Sequence, residues 1–300
     1  MMRKILVLLL LASALLAAGA EKVLVWEAVS PNLPGKVFLA GSVHVGRAAW
    51  YPLDSAYDKA LKASSSLYFE IFQPDPREVF ASCTRYGLFS PGKKLSDVAG
   101  MVNYGKIKNF MLVNGNPVTD QDLEKMRPWL LIIETAGLYL RKRPDLSQTY
   151  GFEAVFTANR GTCPAFSLES IDLQFRTMAS ISDIASMRVL MEGINDYKNA
   201  GRDLERIMGA ITSGNPENLN LLNNEIAFKH PEFYQKLFLN RNKRMTEQIY
   251  ELMKKKQTVF ILIGAGHFAG QGNILELLRN KGCSTVQLDK TGKKGDLRPR

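Results

Sequence analysis

Val37-Phe38-Leu39-Ala40-Gly41-Ser42-Val43-His44 and, far along the chain, Phe260-Ile261-Leu262-Ile263-Gly264-Ala265-Gly266-His267 decide how this sequence folds. Each is an apolar run closed by Gly-x-x-His, with one more glycine soon after, at Gly46 and Gly270. A short continuous apolar run bounded by glycine reads as a buried strand. Glycine lets the backbone turn tightly where the strand leaves its sheet. The histidine then stands at the C-terminal edge of a strand, where open α/β sheets gather ligands. The chain has only 3 histidines, and the third, His230, precedes Pro231 and reads as a helix-boundary residue. Two of three sharing one local pattern favours a common site over two separately packed core side chains.

Working outward from the first unit, Lys22 to Val29 is another β-rich run. Ser30-Pro31-Asn32-Leu33-Pro34-Gly35 lies between them as turn chemistry, which predicts a hairpin. Pro52 to Ala63 has helical spacing, Ser66 to Phe72 reads as a strand, and Asp75-Pro76 opens a helix with proline in its first turn. From Leu95 to Tyr250 the pattern is mainly helical. Thr119 is placed to cap one helix, and Pro128 to Leu140 is too short and carries Glu134, so it predicts a buried helix rather than a membrane span. Cys163 to Leu168 is a strand-like break, and Ser170 to Ile194 and Pro231 to Lys256 are long helical stretches. Around the second unit, Thr258 to Ile263 and Ser284 to Leu288 are strands flanking a helix at Ile274 to Lys281. The expected fold is α/β: a mixed central sheet formed from both ends of the chain, flanked by helices, with a large mainly helical insertion over about 95–250.

The first 20 residues read as a leader: Arg3 and Lys4, an apolar run from Ile5 to Ala18, and Ala18-Gly19-Ala20 as a signal-peptidase site. That run is shorter than the roughly 20 residues that span a bilayer. We therefore expect an exported, periplasmic or secreted protein, a single domain over 21–290, no stable membrane span after cleavage, and a flexible basic tail at 291–300. A hydrophobic share of 46% with 23% charged residues excludes disordered and multi-span classes. The 3 cysteines (Cys83, Cys163, Cys283) exclude a disulfide-built scaffold and permit one bridge without choosing it. The net charge of +10 is spread out, apart from Lys254-Lys255-Lys256 and the tail, and an exported chain has little reason to meet nucleic acid.

Neutral imidazole is the commonest protein metal ligand. Two strand-edge histidines, from either side of one sheet, plus a carboxylate would make a three-ligand set with an open position. Glu70 is the candidate carboxylate, because it lies among residues that should be buried, where an unpaired charge is costly. Simple alternation would instead put it with Tyr68 and Phe72 on an exposed strand face. Glu169 is a second acid near a strand end, readable also as a helix-entry charge. No Gly-x-Ser-x-Gly, His-Glu-x-x-His or Walker-type loop occurs. Gly264-Ala265-Gly266 lacks the continuation and the ribose-binding acid of a dinucleotide site.

Gly41-Ser42-Val43-His44, Pro52-Leu53, Glu70, Leu168-Glu169-Ser170, Arg241-Asn242 and Gly264-Ala265-Gly266-His267 followed by Gly272 stand in the order of the TraB/PrgY/GumN family. The chain resembles that family over nearly its whole length after the leader. The family is related to the Tiki proteins, metal-dependent proteases acting on secreted Wnt, and more broadly to erythromycin esterase and ChaN-like folds. The resemblance implies that His44, Glu70 and His267 form the metal or catalytic centre, and that Arg241 and Asn242 belong to it. Without the resemblance, those last two read equally as a surface helix turn. Many members carry Gly-Val-Asp or Gly-Ile-Asp where this chain has Gly151-Phe152-Glu153; the glutamate keeps the charge on a longer arm, and the expected site is built without it.

The expected function is a metal-dependent hydrolase, a peptidase acting on peptide or protein substrates, with a divalent manganese, cobalt or zinc ion on His44, His267 and Glu70. Glu70 or Glu169 would move the proton, and Arg241 would bind a carboxylate or an oxyanion. Two alternatives stand beside it: a metal-free esterase-type hydrolase with His44 as base, and a non-catalytic protein that binds a peptide signal.

Overall fold

The computed structural model describes residues 21–290. The expected leader (1–20) and basic tail (291–300) lie outside the described residues. The hairpin forms as its turn chemistry requires: β1 (Lys22–Val29) and β2 (Lys36–Ser42) pair antiparallel, with Val25 opposite Ala40 and Ala28 opposite Val37. Then follow α1 (Ser55–Lys62), β3 (Ser66–Phe69), α2 (Pro76–Gly87), α3 (Leu95–Val113), α4 (Asp120–Lys125) and α5 (Pro128–Arg141). The middle continues with α6 (Phe152–Asn159), β4 (Ala165–Ser167), α7 (Ile171–Ala179), α8 (Asp183–Asn195), α9 (Ala200–Ser213) and α10 (Glu217–Lys229). A short α11 (Pro231–Tyr234), a π-helical turn (Gln235–Leu239), α12 (Asn240–Met253), β5 (Thr258–Gly264), α13 (Ile274–Asn280) and β6 (Ser284–Asp289) complete the chain.

The sheet is mixed and has the order β4-β3-β5-β2-β1-β6. Strands from both ends of the chain build it, and the α/β class holds. β5 lies at its centre, parallel to β2 on one side and to β3 on the other. Val259, Phe260, Ile261 and Ile263 are all fully buried, which is why this run carries no polar alternation. Burying each such side chain contributes about 1.5–3 kcal/mol. A second apolar core, with Leu95, Ile107, Leu123, Leu131, Leu138 and Leu190, joins α3, α4, α5 and α8. Phe152 and Phe156 of α6 pack instead into the sheet's core, against Tyr57 and Phe260.

Four expectations need correction. The two Gly-x-x-His strands are immediate neighbours, Ser42 pairing with Gly264, rather than lying on either side of the sheet. The third strand ends at Phe69, not Phe72. The stretch 170–194 is two helices, because the Ser182 hydroxyl caps a fresh start by accepting from the Ala185 amide. The stretch 231–256 is broken by the π turn at Gln235–Leu239. Cys83, Cys163 and Cys283 are all free thiols. Among the described residues, no helix is long and apolar enough to cross a membrane.

Candidate functional site

Because β2, β5 and β3 are parallel and in register, their C-terminal ends meet along one edge. Ser42 is level with Gly264 and Phe69 with Leu262, and the Glu70 amide donates to the Leu262 carbonyl at 3.2 Å. Sequence positions 44, 70 and 267 are thereby gathered at the mouth of one sheet edge. They form two groups.

The first group is buried. After β5 the chain makes a single 3₁₀ turn, Ala265–Phe268, that folds His267 back into the protein, 4% exposed. Asn223 holds this turn by donating from Nδ2 to the carbonyls of Gly266 (2.8 Å) and Ala269 (2.9 Å). Gly270 follows at φ +76°, and a Cβ there would sit 2.8 Å from the Cβ of Asn223. Asn242, fully buried on α12, fixes the imidazole tautomer. Its Nδ2 donates to the Gly272 carbonyl at 2.9 Å, so its Oδ1 is the atom 2.5 Å from His267 Nδ1 and can only accept. Nδ1 therefore carries the proton and Nε2 presents a lone pair. Burial pushes the His267 pKa down to about 4, so the ring is neutral near pH 7.

That lone pair faces Glu70 Oε2 at 3.8 Å. Burial alone would raise the Glu70 carboxyl, but Arg241 outweighs it and holds the pKa at about 2, so the group is a carboxylate. Its Oε1 accepts from Arg241 and from Gln174 Nε2 (2.8 Å), leaving Oε2 with one long bond from the Gly264 amide at 3.4 Å. Arg241 is itself buried, and donates from Nε (2.9 Å) and Nη2 (2.6 Å) to Glu169. Glu169 is 4% exposed and also accepts from Arg244 at 3.3 Å. Arg241 and Asn242 are thus neither surface residues nor free groups. The first clamps Glu70 to Glu169 and the second orients His267, and both follow directly on the π turn.

The second group is open to solvent. The His44 side chain is 82% exposed, and its Nδ1 lies 3.2 Å from Glu153 Oε1. Ser42 donates to the same oxygen at 2.6 Å. Donating a hydrogen bond to Glu153 raises the His44 pKa. Glu153 is held low by His44 and Ser42, which outweigh its own burial. Backbone geometry forces this pairing. Gly46 and Ser147 exchange two 3.0 Å hydrogen bonds, the Phe152 amide donates to the Val43 carbonyl, and a Cβ on Gly151 would lie 2.2 Å from the His44 carbonyl oxygen. Glu153 is the residue the sequence reading set aside; its one signal was its place after Gly151-Phe152. Its Oε2 is buried with no hydrogen-bond partner.

His44, Glu70 and Glu153 all line one cleft of about 730 Å³. The donor chemistry suits a divalent cation. A neutral imidazole lone pair confronts a carboxylate oxygen with no hydrogen between them, and the exposed His44 imidazole lines the same cleft as Glu70. Among the described residues, however, no three His, Cys, Asp or Glu side chains stand close enough to form a ligating group. His267 and Glu70 are in place as a pair, and a third donor would have to turn inward.

The profile described as TraB/PrgY/gumN family matches residues 24–287, and the chain belongs to that family. Among curated proteins it is similar to Metalloprotease TIKI1 of Danio rerio, 24% identical over 298 residues, covering 82% of this chain and 59% of that protein. It is also similar to Metalloprotease TIKI2 of Xenopus tropicalis, 23% identical over 300 residues, covering 82% of this chain and 56% of that protein. A shorter likeness, 40% identity over 53 residues, links it to the Metalloprotease TIKI homolog of Amphimedon queenslandica and covers 17% of this chain and 10% of that protein. The chain spans a little over half the length of the first two relatives. No solved structure was found to match it.

Proposed function

We propose that this member of the TraB/PrgY/gumN family is an exported metal-dependent hydrolase acting on peptide or protein substrates. The observation that carries the reading is the approach of His267 Nε2 to Glu70 Oε2, two electron-pair donors 3.8 Å apart and fixed by buried partners. The similarity to proteins named metalloproteases supports it independently. His267 and Glu70 would hold the ion, with His44 in the same cleft as the proton-bearing group. Manganese, cobalt and zinc all suit imidazole with carboxylate. When bound, such an ion supplies Lewis-acid charge to a scissile carbonyl and makes water easier to deprotonate.

The chain's own groups divide the remaining work. Arg241 and Glu169 keep Glu70 ionised and immobile, and their polar atoms are occupied by one another, so they position rather than touch substrate. Asn242 and Asn223 hold the lone pair of His267 toward Glu70. Glu153 holds His44 at Nδ1 and favours its protonated form, so the other ring nitrogen is available to hand a proton to a leaving amine. A second reading rests on that same pair: His44 oriented by Glu153 would serve as base in a metal-free hydrolase.

The test is hydrolysis of a proteome-derived peptide mixture by the mature protein with manganese, cobalt or zinc, followed by mass spectrometry. We expect metal-dependent cleavage that disappears in His267→Ala and in His44→Ala proteins of native circular dichroism. Full activity after exhaustive chelation would support the metal-free reading, and turnover unchanged in both variants would reject the assignment.

A further inference from the structure

The cleft above the site has a composition that the rest of the chain does not predict. The sequence carries a net charge of +10, yet no lysine or arginine lines the cleft; its titratable residues are His44, Glu70 and Glu153. Arg160, which stacks over Phe72 at 5.6 Å, turns its guanidinium to the Cys163 carbonyl at 2.6 Å and does not line the cleft. One wall is the face of α6 that carries Ala154, Thr157 and Ala158, spaced so that they share the side bearing Glu153. Ile71, Phe72 and Ile171 also line the cleft, beside Gln73, Gln148 and Gln174. The cleft has room for a side chain and is lined by His44, Glu70 and Glu153 as well.

We propose that this cleft is a specificity subsite that takes an apolar, uncharged side chain of the peptide and rejects acidic ones. It rests on the hydrolase reading above and names the substrate class of that same site. Two physical terms act together. Apolar walls favour removal of an aliphatic or aromatic side chain from water. No lining lysine or arginine is there to pair with an acidic side chain, so taking one out of water between those walls is costly. The small residues of α6 set the width, so enlarging them changes which side chain enters.

The experiment uses blocked pentapeptides, acetyl-Gly-Gly-X-Gly-Gly-amide with X as Leu, Phe, Gly or Asp, titrated into the mature protein with and without manganese and followed by ligand-observed NMR. Leu and Phe are expected to bind at least tenfold tighter than Gly, and Asp more weakly than Gly. Ala154→Arg, on an exposed position of α6, should reverse the order so that Asp binds tighter than Leu; Ala158→Arg serves as the second variant should the first misfold. Equal binding of Leu, Gly and Asp to the native protein would overturn the inference even if the peptide mixture is cleaved. If nothing is cleaved but Leu and Phe still outbind Asp in a manner reversed by Ala154→Arg, the subsite stands and the hydrolase reading falls.

Discussion

Replacing Arg241 with leucine tests the buried network most severely. The wild-type guanidinium is 6% exposed and is the cation shared by Glu70 and Glu169, whose own side chains are 16% and 2% exposed. Leucine fills part of the volume but leaves two carboxylates facing each other across adjacent strand ends, where the Glu169 amide already donates to the Glu70 carbonyl. Removing one partner of a buried ion pair costs about 3–5 kcal/mol. For a chain of this size each kcal/mol is worth about 2 °C of melting temperature, so a fall of about 6–10 °C is expected. The pH dependence carries a sign. In the wild type, Glu70 is depressed to about 2 from an ordinary 4.5. Its contribution is therefore complete above 4.5 and fades as pH drops toward 2. In Arg241→Leu, burial acts unopposed and raises the carboxyl, so protonation relieves the variant. The gap between the two proteins should narrow steadily between pH 7 and pH 3, read by thermal circular dichroism. A loss under 2 °C, or a gap independent of pH, would refute the network as the device that holds Glu70 in place.

Three further outcomes follow from named contacts. In metal-free protein, His267 is neutral with a pKa lowered to about 4 from 6.5, so its contribution to stability is intact above 6.5 and declines as pH falls toward 4; Asn242→Asp, which sets a charge on Nδ1, should move the His267 NMR titration upward by a unit or more. Glu153→Gln removes the group that raises His44, so the His44 titration should move down and the basic limb of any pH–rate profile should follow it; an unmoved titration would show the pair is not formed in solution. Asn223→Ala strands the buried Ala269 carbonyl and leaves that of Gly266 only the 3.4 Å bond from the Ala269 amide, and should cost about 1–3 kcal/mol in chemical denaturation together with weaker metal retention.

The two Gly-x-x-His strands were legible because they are continuous apolar runs ended by glycine, and Thr258 to Ile263 reads as a buried strand on that ground. Their adjacency was not, since pairing order depends on how the long helical segment returns the chain, and nothing local in Phe260–Ile263 records that β2 is its neighbour. His267 and Glu70 stand out in the sequence by residue type and strand position, and the structure brings the two side chains together. The burial of Arg241 and Asn242 was hidden by their surroundings, Leu239-Asn240-Arg241-Asn242-Lys243-Arg244, which are polar enough to pass for a surface turn. A π turn directly precedes them, and a π turn leaves no mark in hydrophobic periodicity. The pairing of Glu153 with His44 leaves little sign in the sequence for a related reason. It comes from the backbone clasp between Gly46 and Ser147, a pairing across about a hundred residues. His44, expected as an equal partner of His267, is exposed and leans on Glu153 instead, because the loop after β2 turns outward where the turn after β5 folds in.

Metal content bears most directly on the central claim. The mature protein should be loaded with manganese, cobalt and zinc in turn, passed over a desalting column and analysed by elemental mass spectrometry beside His267→Ala and Glu70→Gln. The account predicts close to one ion per chain for the native protein with at least one of the three metals, and loss of that ion in both variants. Metal absent from the native protein in every case, or retained undiminished by His267→Ala, would contradict it.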